Sequence, residues 1–243
     1  MAAPTVGSLF SGIGGIDLGL ERAGFETKWQ VEIDPFARSI LQKHWSHVPK
    51  FEDVTKIEEG DLEPVDLVCG GFPCQPVSDA GLKLAQDDPR WLWPYFRGIL
   101  GFIRPRLVLV ENVEGLLGRG LGDVLGDLSR LGYDAQWATL PAAFFGAPHQ
   151  RNRIYLVAYP DSIGRQAGDV FHSVTSRSYD ISALQLEQGF GGRVRAFPPS
   201  LFERMDDGFP SELDIARLKA YGNAVYVPQV EWIGRRIREV FSL

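Results

Sequence analysis

Cys74 stands in Gly70-Gly71-Phe72-Pro73-Cys74-Gln75-Pro76, directly after the apolar run Val65-Asp66-Leu67-Val68-Cys69. A strand that ends in a proline-braced turn presents one thiol at its tip. A nucleophile must be held at a fixed angle and stay reachable, and this setting supplies both. A tight Gly/Pro turn with an incidental cysteine is the plainer alternative. Three other groups carry chemistry. Phe10-Ser11-Gly12-Ile13-Gly14-Gly15 follows a strand and opens a helix, and Glu32 lies twenty residues after Gly12 at the end of the next strand. Glycines there let the backbone turn sharply and approach a ligand, and an acid at that spacing can accept both hydroxyls of a ribose. The loop is Gly-x-Gly-Gly without the full dinucleotide fingerprint, so a mononucleoside such as S-adenosylmethionine fits it better than NAD. Glu111-Asn112-Val113 closes a buried strand, which aims a carboxylate into the crevice at the carboxyl edge of a sheet. His149-Gln150-Arg151-Asn152-Arg153 precedes the last clear strand. Arginines two apart share one side of an extended segment and can clamp an anion or a carbonyl.

The elements that must position these groups alternate. Strands are expected at residues 6–10, 25–32, 65–69, 106–111 and 154–159, and helices after the glycine loop, from Asp34 to about Trp45, and over 122–131. Asp34 caps the second helix, with Pro35 at its first position. The continuous apolar run at 106–111 marks a strand buried on both faces. Alternation of this kind predicts an α/β, doubly wound, mostly parallel sheet with helices on both faces. After Pro160 the texture turns to Gly, Ser, Arg and Pro. Residues 1–160 are therefore read as a catalytic and cofactor-binding domain, 161–209 as a small irregular region, and 210–243 as C-terminal helices returning to the first domain. Val230, Ile233, Ile237, Val240 and Phe241 recur at helical spacing.

Composition limits the options. The chain has 243 residues, 44% hydrophobic and 23% charged, with a net charge of −6. This suits one large globular domain with a real core. No apolar run is long enough to span a membrane, and with a strand-like run from Thr5 and no basic and apolar signal before it, secretion is not expected. Two cysteines, Cys69 and Cys74, read as free thiols in a reducing, cytoplasmic compartment. The net charge argues against a protein that merely coats nucleic acid. Between Arg151 and Arg204, however, there are seven arginines, no lysine and five acids. Arginine makes bidentate contacts to phosphate and guanine, so this region favours recognition.

Taken in order, these motifs resemble those of the C5-cytosine-specific DNA methyltransferases. The resemblance rests on the Phe10–Gly15 loop, Pro73-Cys74-Gln75, Glu111-Asn112-Val113, the arginine pair and Gly222-Asn223-Ala224-Val225, and covers about residues 6–159 and 218–241. It implies a Rossmann-like, class I S-adenosylmethionine-dependent methyltransferase fold. The implied reaction is methyl transfer to C5 of a flipped-out cytosine in double-stranded DNA through a Cys–C6 adduct. By the same resemblance, Cys74 is the nucleophile and Glu111 contacts N3 and the exocyclic amine. Arg153 holds the base O2, and Arg151 lies near the phosphate or the thiol. Phe10 and Ile33 flank the adenine, and Glu32 takes the ribose. Asp53 meets the adenine amine with Val54 beside it, and Asn223 reaches the methionine carboxylate. Phe72 and Pro73 form the wall between cofactor and nucleophile, with Gly12, Gly14 and Gly15 shaping the cofactor loop. Residues 77–92 are the expected closing loop. Gln75, Ser78, Arg90, Arg177, Arg193 and Arg195 are candidates for DNA contact. No metal is implied, and a cognate restriction enzyme is a candidate partner in a bacterial or phage-infected cell.

His149 stands where the family usually has Gln, and the target-recognition region, residues 161–209, is short. Both departures leave the chemistry intact, and the second suggests the compact enzymes of phages and prophages. Two rivals remain open. One is a tRNA cytosine-5 methyltransferase, whose branch carries a Cys-Phe-Thr signature that this chain lacks after Cys74. The other is a catalytically idle DNA-binding homologue, against which Cys74, Glu111, Arg151 and Arg153 all speak.

Overall fold

The computed structural model describes residues 2–73, 91–147, 149–166, 168–171 and 224–243. Seven strands form one sheet: β1 (Thr5–Leu9), β2 (Glu26–Val31), β3 (Lys50–Phe51), β4 (Leu67–Gly70), β5 (Leu107–Val113), β6 (Tyr133–Pro141) and β7 (Asn152–Pro160), in the order β3-β2-β1-β4-β5-β7-β6. The first five are mutually parallel, whereas β7 runs antiparallel to both β5 and β6. The order reverses between β1 and β4. Their carboxyl ends therefore open a crevice, with the Phe10–Gly15 loop on one side and Gly71-Phe72-Pro73 on the other.

Helices α1 (Gly15–Arg22) and α6 (Val227–Phe241) cover one face of the sheet, while α3 (Trp93–Ile103) and α5 (Leu121–Arg130) cover the other. Helix α2 (Pro35–His44) packs through Leu41 on Trp45, and the single turn α4 (Leu116–Arg119) precedes α5. Strand side chains alternate between the two layers. Leu107 and Leu109 join the α1/α6 side with Tyr155 and Val157, and Val108 and Val110 join the α3/α5 side with Ile154 and Leu156. Asp34 caps α2 as its sequence predicts, accepting from the Phe36 and Ala37 amides at 2.9 and 3.0 Å, with Pro35 in the first turn.

Helix α6 lies on α1 at close range, since a methyl group added at Gly19 would come within 2.6 Å of Val230 Cβ. This contact returns the C-terminal segment to the first strand. The two-residue β3, the edge strand β6 and the eleven-residue α3 were not among the elements expected from the sequence. Beyond β7, Asp161–Gln166 forms a 3-10 helix, and Val170 and Phe171 are buried in the α6 layer. Residue 167 and residues 172–209 of this region are outside the described residues. No helix among the described residues is long and apolar enough to cross a membrane.

A carboxyl group lies fully inside this frame. Asp17 on α1 accepts from Gln30 Nε2 at 2.8 Å and Ser8 Oγ at 3.1 Å. Burial pushes its pKa up from 3.8 to about 6, against the pull of those two hydrogen bonds. The folded state therefore holds a proton that the unfolded chain has already released. The stability this confers is complete below 3.8 and is lost as pH rises through about 6. Asp17→Asn keeps the shape without the charge. It should raise stability near pH 7 by about 1–3 kcal/mol and flatten the decline between about pH 4 and pH 6. Denaturant unfolding across that range measures it, and an unchanged pH dependence would count against the assignment.

Candidate active site

The glycine loop is built to leave its mouth open. Gly12 and Gly14 have φ of 56° and 84°, in the left-handed region. No atom stands within 4 Å of a Cβ placed on Gly12, whereas one on Gly14 would meet the Trp45 ring at 2.5 Å. Glu32 closes the loop from the end of β2. Its Oε2 accepts from the Gly12 amide at 2.7 Å and its Oε1 from the Asp34 amide at 2.8 Å. The twenty-residue spacing is thus a direct contact. Ile33 beside it leaves 64% of its surface exposed, a large apolar side chain open to a flat partner. Asp53 caps a short 3-10 turn, accepting from Thr55 Oγ1 at 2.7 Å and Thr55 N at 3.0 Å, and these Thr55 bonds hold its carboxyl below the usual range. Val54 behind it is buried. Gly15 faces Val225 across 2.8 Å from its notional Cβ, so the segment after Asn223 does return to this loop. Asn223 and Gly222 themselves lie outside the described residues. An open glycine cradle, an acid at its rim and an exposed apolar side chain beside the acid fit a nucleoside with a flat base.

Across the crevice, β5 overruns β4. Their pairing ends at Gly70 with Val110, and Glu111, Asn112 and Val113 continue against Tyr155, Ile154 and Arg153 of β7. Glu111 is thereby raised to the crevice edge with a strand on only one side. Arg153 Nε reaches its Oε1 at 3.0 Å, and the two side chains are 20% and 12% exposed. Burial pushes the Glu111 carboxyl up, while Arg153 and then Arg151 pull it down. On the open side Gly71 leaves room for the carboxyl: a Cβ there would stand 2.8 Å from Glu111 Oε2.

The arginines converge, though not by strand alternation. Arg151 has φ of 33°, so the chain is not extended there. Its Nη2 donates instead to the Ala224 carbonyl at 2.6 Å. Because β7 is antiparallel to β5, its first residues meet the carboxyl end of β5. A parallel strand would have carried both arginines to the opposite edge. His149 stacks edge-on to Tyr226 at 6.2 Å.

Cys74, Gln75, Ser78, Arg90, Arg177, Arg193 and Arg195 lie outside the described residues. The approach to Cys74 is described and firmly held. Asn112, 3% exposed, donates through Nδ2 to the Phe72 carbonyl at 3.2 Å and accepts from the Val113 amide through Oδ1 at 2.9 Å. The Phe72 ring is buried against Trp91 and Trp93, and its neighbour Pro73 is half-buried at the crevice. Trp91, at the end of the expected closing loop, is buried.

Comparison with known proteins decides the family. A model of the C-5 cytosine-specific DNA methylases matches residues 5–187. The chain belongs to this family. Among curated relatives, the Type II methyltransferase M.NgoBI of Neisseria gonorrhoeae is 39% identical over 160 residues, covering 64% of this chain and 50% of that protein. M.MspI of Moraxella sp is 34% identical over 224 residues, covering 85% and 50%. The chain thus spans about half the length of these relatives. Among solved structures, a candidate DNA modification methyltransferase encoded within an E. coli prophage aligns with a TM-score of 0.55 at 28% identity, covering 66% of this chain and 48% of that one. The S. pombe Dnmt2 methyltransferase aligns at 0.59 and 23%, covering 73% and 57%. The fold is the doubly wound class I methyltransferase fold that the motifs imply.

The sequence reading missed the residues that hold this candidate site in place. Asn112 was noticed only as a neighbour of Glu111. An aromatic row joins the two loops: Phe10 to Phe96 at 6.4 Å, Phe96 to Trp93 at 5.3 Å, and Trp93 to Phe72 at 5.6 Å. The signal for it was present in Trp91-Leu92-Trp93-Pro94-Tyr95-Phe96, an apolar run with a proline in a helical first turn. Gly71→Ala tests the room left for Glu111. The added methyl must push the carboxyl off Arg153, and methyl transfer should fall at least about tenfold with the fold retained by circular dichroism. A wild-type rate would mean that Glu111 does not work from this position.

Proposed function

We propose that the chain is a DNA (cytosine-5-)-methyltransferase that uses S-adenosylmethionine to methylate C5 of a cytosine flipped out of double-stranded DNA. One observation carries this reading: a largely buried carboxyl, Glu111, paired with Arg153 beside the turn that leads from Phe72 and Pro73 to Cys74. Cytosine C5 is a poor nucleophile. Addition of the Cys74 thiolate to C6 forms an S–C bond and pushes electron density through the ring to N3 and C5. Glu111 meets N3 and supplies the proton that neutralises it. Its raised pKa supports this role, since burial favours the neutral acid. Arg153 holds the base O2 while it keeps the Glu111 carboxyl in place, and Arg151 faces the same pocket from the turn before β7.

When bound, S-adenosylmethionine supplies the electrophilic methyl group that C5 accepts. Phe10, Gly12, Gly14, Gly15, Glu32, Ile33, Asp53, Val54, Phe72, Pro73 and Asn223 would hold it. Loss of the C5 proton to a base, return of the N3 proton to the Glu111 carboxylate and expulsion of Cys74 restore the aromatic ring, the acid and the thiolate. Extrusion of the base costs a few kcal/mol of stacking and pairing, which the closed pocket must offset. Residues 1–160 and 210–243 form the catalytic unit in this reading. Residues 161–209, with Arg177, Arg193 and Arg195, read the target, and Gln75, Ser78 and Arg90 meet the DNA near the cytosine. A bacterial or phage-infected cytoplasm, with or without a cognate restriction enzyme, suits this activity.

The test is transfer of labelled methyl to duplex DNA, with bisulfite sequencing of the product. Label should appear at cytosine C5 in a short fixed context. Cys74→Ser should lower the rate at least about a thousandfold, and Glu111→Gln about a hundredfold or more. Binding to the duplex should weaken steeply with salt as arginine–phosphate contacts release counterions. Cofactor binding without label on DNA would refute the DNA reading. Label on tRNA instead would move the activity to the RNA branch.

A further inference from the structure

Gln229, in the first turn of α6, is fully buried. A buried amide costs stability unless it is hydrogen-bonded, so an apolar residue would serve better if packing were the only need. Nor does the side chain cap its own helix; both of its polar ends are used on strands. Oε1 accepts from the Tyr155 hydroxyl at 3.1 Å, and Nε2 donates to the Leu140 carbonyl at 2.8 Å. The register shows what these two partners share. Leu140 is the β6 partner of Arg153, and Tyr155 lies two residues beyond Arg153 on β7, where it is the β7 partner of Glu111.

We propose that Gln229 is a positioning residue for the Glu111–Arg153 pair, tying β6 and β7 together on both sides of Arg153. The same C-terminal segment supports the neighbouring turn. Ala224 O takes the Arg151 guanidinium, and the Tyr226 hydroxyl donates to Phe145 O at 3.3 Å. Helix α6 is itself anchored, because Val230 sits against Gly19 of α1 and Gly234 against Ala23. The base-facing end of β7 is thus held by a helix whose other side rests on the helix that follows the cofactor loop. Without the Gln229 bonds, the two strands remain paired by their backbones, but Arg153 gains freedom to drift from Glu111. The charged and titratable groups that face Glu111 among the described residues are Arg153 and Tyr155 on β7 and Arg151 just before it, with Gly71 on the β4 side.

The inference rests on Glu111 and Arg153 being the base-facing pair, so Glu111→Gln is assayed alongside. Gln229→Met keeps the volume without the hydrogen bonds, and Tyr155→Phe removes one hydroxyl while leaving the bond from Gln229 to Leu140. Each should lower kcat for DNA methylation about tenfold, with KM for S-adenosylmethionine unchanged. Each should also move the alkaline limb of single-turnover methyl transfer to higher pH. The sign follows from Arg153: once it loosens, less holds the Glu111 proton off, and the acid form persists to higher pH. A role confined to stability would lower the melting temperature and the active fraction but leave that limb in place, and this result would overturn the proposal. So would wild-type kcat in both variants. If Gln229→Met does not fold, Tyr155→Phe decides alone. Full activity in Glu111→Gln would remove the site reading and the proposal together; loss there with unmoved profiles in the other two variants removes the proposal only.

Discussion

A carboxyl group taken out of water beside a guanidinium is the interaction on which this molecule turns. Burial pushes the Glu111 carboxyl up, and the Arg153 and then the Arg151 guanidinium pull it down. The proton transfer proposed for Glu111 needs both influences in opposition, because a group that gives up and regains a proton must not be locked in either form. A buried pair of this kind is tolerated only with good geometry, since each partner left alone inside would be costly. The geometry comes from three features of the sheet. Strand β5 overruns β4, β7 runs antiparallel to β5, and Gly71 leaves space where any side chain would collide.

The glycine loop and the Gly71-Phe72-Pro73 segment are parts of one packed unit. The reversal of strand order between β1 and β4 sets them side by side at one edge. Helix α3 then joins them from beneath, with Phe96 under Phe10 and Trp93 under Phe72. Asn112 fixes the Phe72 carbonyl from the neighbouring strand. A shift at either loop must therefore pass through a dense aromatic layer, where even small displacements are resisted. On the other face α1 and α6 play the same part, with the C-terminal segment reaching both Gly15 and Arg151.

Some of this was legible in the residues. Asp34-Pro35 announces a helix start and makes one. The Gly12–Glu32 spacing becomes a hydrogen bond of 2.7 Å. The apolar run around Leu107 to Val110 is a central strand, buried on both faces. Other parts were not. Strand β6 alternates weakly because Trp137 faces solvent at 44% exposure while Gln136 spends its amide on Gly168 and Val170, so no clean period-two pattern survives. Helix α3 is almost wholly apolar and rich in tryptophan and phenylalanine, which suits a strand or a buried helix equally by periodicity. Gln229 looks like any polar residue in a helical first turn, and only its two partners reveal its use.

Local chemistry was determined by the sequence itself. Turn residues, caps, strand-length apolar runs and the order of the motifs depend on neighbours a few positions away, and their physics is complete at that range. They were enough for the fold class and for the family to which the chain belongs. What only the tertiary structure decided is direction and proximity. Nothing within Asn152–Pro160 states that this strand runs opposite to β5, yet that direction brings Arg153 to Glu111. Nothing near Gln229 names Tyr155 or Leu140, which lie 74 and 89 residues away. Burial of a charge, and hence its pKa, is a property of everything packed around it, and that sum exists only once the chain has closed on itself.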